Sequence, residues 1–242
     1  MMEYTDIHTH LLCHVDDGAR DEDMMIAMLE MAWQTGTRLL CVTPHFGVRQ
    51  LNGSDTLISD AYHQLCSYTA EHHPEMRVLL GNELRYREGC AAWLDAGRCK
   101  TLNWTDSVLV DFIASESRDT ILNGLLALLN AGYRPILAHA ERYPALKGDM
   151  DDFRFLIDKG VRIQVNADSI FGSWGLRAKH TARKLLMLRM ASLVCSDAHD
   201  LEKRPPNIRD AFSWLEKHTS SEYTAYLTNQ AKIAVGIKQQ KS

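Results

Sequence analysis

Apolar and polar positions alternate along this chain in two rhythms. Short runs of apolar residues, four to seven long, are separated by stretches in which apolar residues return every three or four positions. The first rhythm predicts strands and the second amphipathic helices. Strands are expected at residues 4–9, 38–43, 77–83, 107–112, 134–138, 162–166 and 193–196. A helix opening at Asp21 uses Met24, Ala27, Met28, Met31 and Ala32 as its apolar stripe and stops at Gly36. Further helices are expected over residues 55–72, 120–131, 150–159 and 178–190, the middle two closed by Gly132 and Gly160, with a mostly helical C-terminal part. The strands are near-continuous apolar runs, as in a parallel sheet covered on both faces. About seven strand–helix units in succession predict an α/β chain wound as a barrel, one unit short of the complete eightfold form.

Length fits one such barrel: the sequence has 242 residues, and residues 1–242 are read as a single domain. A net charge of −4 gives no broad nucleic-acid footprint. No apolar run reaches the ~18 residues of a membrane span, and no signal peptide is visible, so a cytoplasmic protein without membrane insertion is expected. The six cysteines (Cys13, Cys41, Cys66, Cys90, Cys99 and Cys195) form no CxxC pair and read as reduced thiols. The sequence leaves oligomeric state open.

The candidate chemistry emerges when ionisable residues are laid over the predicted strands. His8 and His10 end the first, His45 follows the second, and Glu83 and Asp111 close the third and fourth. His139 follows the fifth, and Asp197 and His199 follow the seventh. Strand C-termini of such barrels meet at one mouth, so these residues should share a cavity. His8 and His10, two apart in an extended segment, face the same way. Any one of them has an ordinary reading as a core imidazole, a solvated strand end or, for Asp197, a helix cap. The recurrence at successive strand ends points to metal instead. Asp16, Asp17, Glu83, Asp111 and Asp197 supply hard oxygen donors. Imidazoles and carboxylates without thiolates suit manganese, iron or zinc better than calcium. Two or three ions are expected, with Glu83 as a bridge. The other histidines (His14, His63, His72, His73, His180 and His218) are expected at the surface.

The segments DIHTH, DDGA, VTPHF, GNEL, AHAERYP, QVNADS, SDAH and RPP occur in this order. Together with the C-terminal NQAKI, they resemble the polymerase-and-histidinol-phosphatase (PHP) superfamily. Within it they resemble the bacterial manganese-dependent tyrosine-protein phosphatases of capsule and exopolysaccharide operons. The resemblance implies a distorted TIM-like barrel of seven βα units, of PHP type, with three metal ions. The ligands it implies are His8, His10, Asp17, His45, Glu83, Asp111, His139, Asp197 and His199. It also implies phosphate binding by Arg142 and Arg204, beside catalytic roles for Asp197 and His199. The subfamily usually offers Glu where this chain has Asp111, whose shorter arm implies a shifted or weaker metal there. The implied substrate is a phosphotyrosine protein, an autophosphorylating bacterial tyrosine kinase with a tyrosine-rich tail.

The expected reaction uses water activated by metal, with Arg142 gripping the phosphate through paired hydrogen bonds. His45, His199 or a nearby Asp is left open as the acid. Cysteine-based phosphatase chemistry fails a direct test. It needs Arg six positions after Cys, where this chain has Ala19, Gly47, His72, Ala96, Thr105 and Leu201. Three alternatives stand beside this reading: a PHP phosphomonoesterase acting on histidinol phosphate or a similar metabolite, an amidohydrolase barrel, and a non-catalytic module of polysaccharide assembly. The amidohydrolase pattern, which bridges its metals with a carboxylated lysine and ends in a lone Asp, differs from Glu83 and the Asp197–His199 pair. Residues 49–56 and 171–176 are expected to shape substrate access.

Overall fold

A computed structural model of the protein describes residues 3–48, 53–146 and 150–237. The chain runs β1 (Tyr4–Thr9), α1 (Glu22–Gln34), β2 (Thr37–Val42), β3 (His45–Phe46), α2 (Asp55–His72), β4 (Arg77–Leu80) and β5 (Glu83–Arg85). It continues α3 (Ala91–Asp95), β6 (Ser107–Asp111), α4 (Arg118–Asn130), β7 (Arg134–Leu137), α5 (Asp151–Asp158), β8 (Arg162–Asn166), α6 (Gly175–Met187), β9 (Leu193–Cys195), α7 (Arg209–His218) and α8 (Ser221–Ala234). Every strand pairing is parallel. One sheet has the order β1-β2-β4 and the other β3-β5-β6-β7-β8-β9.

Seven staves result, because two of them are interrupted. The predicted strand over residues 77–83 is two strands, β4 and β5. At the break, Gly81 has no room for a side chain, since a Cβ there would lie 2.7 Å from Leu102. Asn82 turns its amide to other segments, its Nδ2 donating to the Pro44 carbonyl at 2.9 Å and its Oδ1 accepting from Lys100 N at 2.8 Å. Glu83 therefore opens β5 rather than ending its strand. Thr43–Pro44 makes the matching break between β2 and β3, so β2 lies beside β4 and β3 beside β5. The ring is brought round by Asp197 N donating to His8 O at 2.9 Å and His10 N to Ala198 O at 2.8 Å, which ties β1 to the segment after β9.

Strand residues such as Ile7, Leu40, Leu109, Ile136, Ile163 and Leu193 are fully buried. The helices follow their caps. Asp21 accepts from Met24 N at 2.9 Å, and the Ser54, Ser117 and Ser220 side chains cap α2, α4 and α8 in the same way. Gly36, at φ +99, ends α1 and accepts from Tyr4 N at 3.0 Å, so the helix stop also sets the edge of the first stave. Two readings need correction. In α1 the buried residues are Met25, Met28, Leu29 and Ala32, while Met24, Ala27 and Met31 are half-buried. The helix is apolar around most of its girth, so packing rather than period chose the face. Helix α6 begins at Gly175 and ends at Met187, about three residues earlier than the apolar pattern placed it. No helix among the described residues is long and apolar enough to cross a membrane.

Candidate functional site

The strand ends bring the predicted donors together at one mouth. In four groups, each residue offers an atom within 4.8 Å of the others: His10, Asp17, His45 and His199; His8, His10 and Asp197; His8, Glu83 and His139; His45, Glu83 and Asp111. Each of the nine ligand candidates falls in at least one group. Seven of them, all but His8 and His10, border a cavity of about 300 Å³ lined also by Arg85, Phe112, Ile113, Arg142, Tyr143 and Arg204.

The first motif works through backbone as much as side chain. Gly18 of DDGA packs on His10 so closely that a Cβ would sit 1.9 Å from the His10 carbonyl oxygen. Ala19 N then donates to that oxygen at 3.1 Å. This fold of the loop carries Asp17 over the mouth and points Asp16 elsewhere. Asp16 was read as a hard donor to metal, but its Oδ2 receives His10 Nδ1 at 2.7 Å and His45 N at 3.0 Å, while Oδ1 receives Gly18 N at 3.0 Å. Its part is to orient an imidazole.

The same device recurs around the ring. His8 Nδ1 is 3.1 Å from Gln164 Oε1, His199 Nδ1 is 2.9 Å from the Asp197 carbonyl, and His139 Nδ1 is 3.3 Å from the Tyr143 hydroxyl. Holding Nδ1 as the N–H leaves the Nε2 lone pair aimed inward, as at sites where histidine binds metal. His8 Nε2 and His10 Nε2 face each other at 3.4 Å. Glu83 Oε2 and His45 Nδ1, both buried, stand 2.7 Å apart without good hydrogen-bond alignment. Convergent lone pairs and orphaned polar atoms of this kind fit divalent cations.

Electrostatics agree. Burial alone would depress His8, but Asp197 and Glu83 hold its pKa up to about 9. Burial likewise opposes the charge on His45, and Glu83 and Asp17 override it, lifting the imidazole to about 11. His10, buried and beside His199 and His45, drops to about 4. Burial would raise Glu83, yet His45 and His8 keep it well below the ordinary carboxylate range. Carboxylates that demand this much positive charge within a few ångströms are suited to ions of charge two.

Asp197 has a second role. Its Oδ1 lies 3.3 Å from His8 Nε2 and 3.5 Å from His10 Nε2. Its Oδ2 receives Arg204 Nη2 at 2.7 Å, Asn166 Nδ2 at 2.8 Å and Arg142 Nη1 at 3.1 Å. Both Asp197 (φ +54) and His139 (φ +32) take left-handed backbone, which a non-glycine residue adopts at a cost and which is concentrated at functional positions. The turn lets each strand end aim its side chain into the mouth.

Asp111 is shared. Its Oδ2 accepts from Arg85 at 2.6 Å (Nε) and 2.5 Å (Nη2), and its Oδ1 accepts from the Tyr143 hydroxyl at 3.0 Å. Burial and the nearby Glu83 charge raise its pKa. Sequence reasoning missed Arg85, Tyr143, Gln164 and Asn166. Gln164 and Asn166 had one signal, polar side chains inside an apolar strand. Of the remaining histidines, His14, His63, His72, His180 and His218 are exposed, as expected. His73 is half-buried, bonded to Glu30 at 2.6 Å and stacked on Trp33. Of the two expected access loops, residues 49–52 of the first lie outside the described residues, whereas the second places Trp174 against Arg142 and Arg204.

A curled parallel barrel with imidazoles and carboxylates round its mouth defines a PHP-type, TIM-like fold. The chain belongs to the CpsB/CapC family of capsular polysaccharide synthesis, whose family model matches residues 4–235. It is 29% identical over 217 residues to the tyrosine-protein phosphatase CpsB of Streptococcus pneumoniae, covering 88% of this chain and 89% of the relative. The fold superposes with a TM-score of 0.88 at 27% identity, over 97% of this chain and 95% of the other, on a structure from work on YwqE of Bacillus subtilis and CpsB of Streptococcus pneumoniae, described as unique metal-dependent tyrosine phosphatases. Histidinol phosphate phosphatase of Lactococcus lactis matches with a TM-score of 0.57 at 15% identity, covering 90% of this chain and 94% of that one, a likeness of fold alone.

Proposed function

We propose that this chain is a metal-dependent protein-tyrosine phosphatase, and that residues 1–242 form one catalytic domain. Membership of the CpsB/CapC family and the near-complete overlap with a tyrosine phosphatase support the activity. The observation that carries it is Asp197, one oxygen toward the imidazole cluster and the other holding two arginines. A donor cluster and a phosphate grip joined through one carboxylate fit a phosphomonoester better than an amide, which brings no dianion.

His8, His10, Asp17, His45, Glu83, Asp111, His139, Asp197 and His199 would hold two or three divalent ions, and their mixed imidazole and oxygen donors suit manganese, iron or zinc. Such ions, when bound, lower the pKa of water and neutralise phosphoryl oxygens. The chain's own residues do the rest. Arg142 and Arg204 donate to the phosphoryl oxygens and stabilise the charge that builds there. Asp197 keeps the two guanidinium groups on the same side of the cavity. Phe112 and the half-exposed Ile113 give the tyrosine ring an apolar wall. A phenol leaves with a pKa near ~10, so the site needs only weak acid assistance.

The substrate we propose is an autophosphorylating bacterial tyrosine kinase, in keeping with a capsule-synthesis family. Residence in the cytoplasm suits six unpaired cysteines. The retained donor set speaks against a non-catalytic module. The test is hydrolysis by manganese-loaded protein of a phosphotyrosine peptide, a phosphoserine peptide and histidinol phosphate. Phosphotyrosine should exceed the other two by at least about tenfold in kcat/KM. Preference for histidinol phosphate would replace the protein substrate with a metabolite.

A further inference from the structure

Arg142 is held from two sides. Its Nη1 donates to Asp197, and its Cζ stands 3.7 Å from the centre of the Trp174 ring. Arg204, also on Asp197, has its Cζ 5.3 Å from the same ring. Trp174 is in turn fixed by its Nε1, which donates to Asp168 Oδ2 at 2.9 Å. Its loop folds back on the Asp168 carbonyl, which accepts from Phe171 N at 3.0 Å and Gly172 N at 3.2 Å.

We infer that Trp174 is a positioning residue, an uncharged clamp that sets the planes of Arg142 and Arg204 for a phosphate dianion. The inference rests on the phosphatase reading for the identity of the anion. An arginine side chain has several rotatable bonds, and ordering it at the moment of binding subtracts from affinity. A carboxylate could order it, but each added carboxylate cancels part of the charge that the phosphate needs. The face of an indole attracts a guanidinium without neutralising it. Asp168, a further carboxylate close enough to feel both arginines, turns one oxygen to the indole N–H. One acidic group and one aromatic face thus hold two cations, leaving their remaining N–H groups for substrate.

The experiment compares manganese-loaded wild type, Trp174→Ala and Trp174→Phe. With p-nitrophenyl phosphate, Trp174→Ala should lose about tenfold in kcat/KM, chiefly through KM, and inhibition by inorganic phosphate should weaken by about the same factor. Its metal content by elemental analysis should equal that of wild type. Trp174→Phe keeps an aromatic face and should return to within about threefold of wild type. Inorganic phosphate should change the tryptophan emission of wild type, and that change should be missing in Trp174→Phe although its kinetics persist. Trp174→Ala within twofold of wild type in both KM and phosphate inhibition overturns the inference, as does loss of metal with the ring. If wild type cleaves no phosphomonoester, the phosphatase reading fails separately. The emission arm then decides the clamp: a phosphate-dependent change lost in Trp174→Phe supports it, and no change in wild type overturns it.

Discussion

Asp197 accepts Arg204 Nη2 at 2.7 Å on its Oδ2 while its Oδ1 faces the imidazoles of His8 and His10. A carboxylate in this position fixes the distance between positive side chains and the donor cluster. Burial would raise its pKa, but His8 and Arg204 lead a group of positive neighbours that keeps it low. It therefore carries its full charge at neutral pH, and the two halves of the site are tied together by one ionised group.

Three substitutions should separate those halves. His139→Ala removes a donor and should lower both metal content and turnover. Arg142→Ala should keep the metal and lose about 10²-fold or more in kcat/KM, the scale of deleting a charge-stabilising donor. Asp197→Asn should lose metal and phosphate affinity together. Elemental analysis with steady-state kinetics on the three proteins checks this. An Arg142→Ala protein with wild-type kinetics removes the phosphate role assigned to that arginine.

Chelation should destabilise as well as inactivate. Glu83, Asp111 and Asp197 are buried within one mouth, and their mutual repulsion is relieved when cations bind. Free metal at a hundred times its dissociation constant adds about 2.7 kcal/mol to the folded state. For a chain of this size that corresponds to roughly 5–10 °C in Tm. Thermal scans with and without a chelator, and with manganese restored, measure it. Equal melting temperatures would mean that the cluster holds no cation.

Thiol chemistry should be slow and without consequence for activity. Cys13, Cys41, Cys90, Cys99 and Cys195 are buried and Cys66 is half-buried. Burial pushes the Cys99 thiol up to about 12 and raises Cys41 and Cys195 as well, so the reactive thiolate is scarce at neutral pH. A thiol reagent should modify Cys66 first and the other five only on unfolding, with phosphatase activity retained after that first modification. Rapid labelling of all six thiols in the folded protein would contradict the packing.

Much of this site is legible in the sequence because strand ends are. His8 and His10 announce themselves by a spacing that puts both on one face of β1. Glu83, Asp111, His139 and Asp197 are polar residues where apolar runs stop, and a parallel barrel sends all such stops to one rim. The staves were legible for the same reason, except at residues 81–82. There the apolar run has just ended at Leu80, but Asn82 bonds out to Pro44 and Lys100 and splits the stave, and no periodicity reports that.

What sequence alone determined, then, was which residues could ligate and which end of the barrel they would share, since spacing and residue type are local properties. Tertiary structure decided who holds whom: Asp16 turned to His10, Gln164 to His8, Arg85 to Asp111, and Trp174 laid on Arg142. Hydrogen bonds and ring contacts depend on ångström distances between segments remote in the chain, and those distances exist only after the core has packed. The face that α1 buries shows the same dependence. Met25 and Leu29 are inside and Met24 and Met31 half out, because a helix apolar on several sides takes its orientation from the sheet it covers.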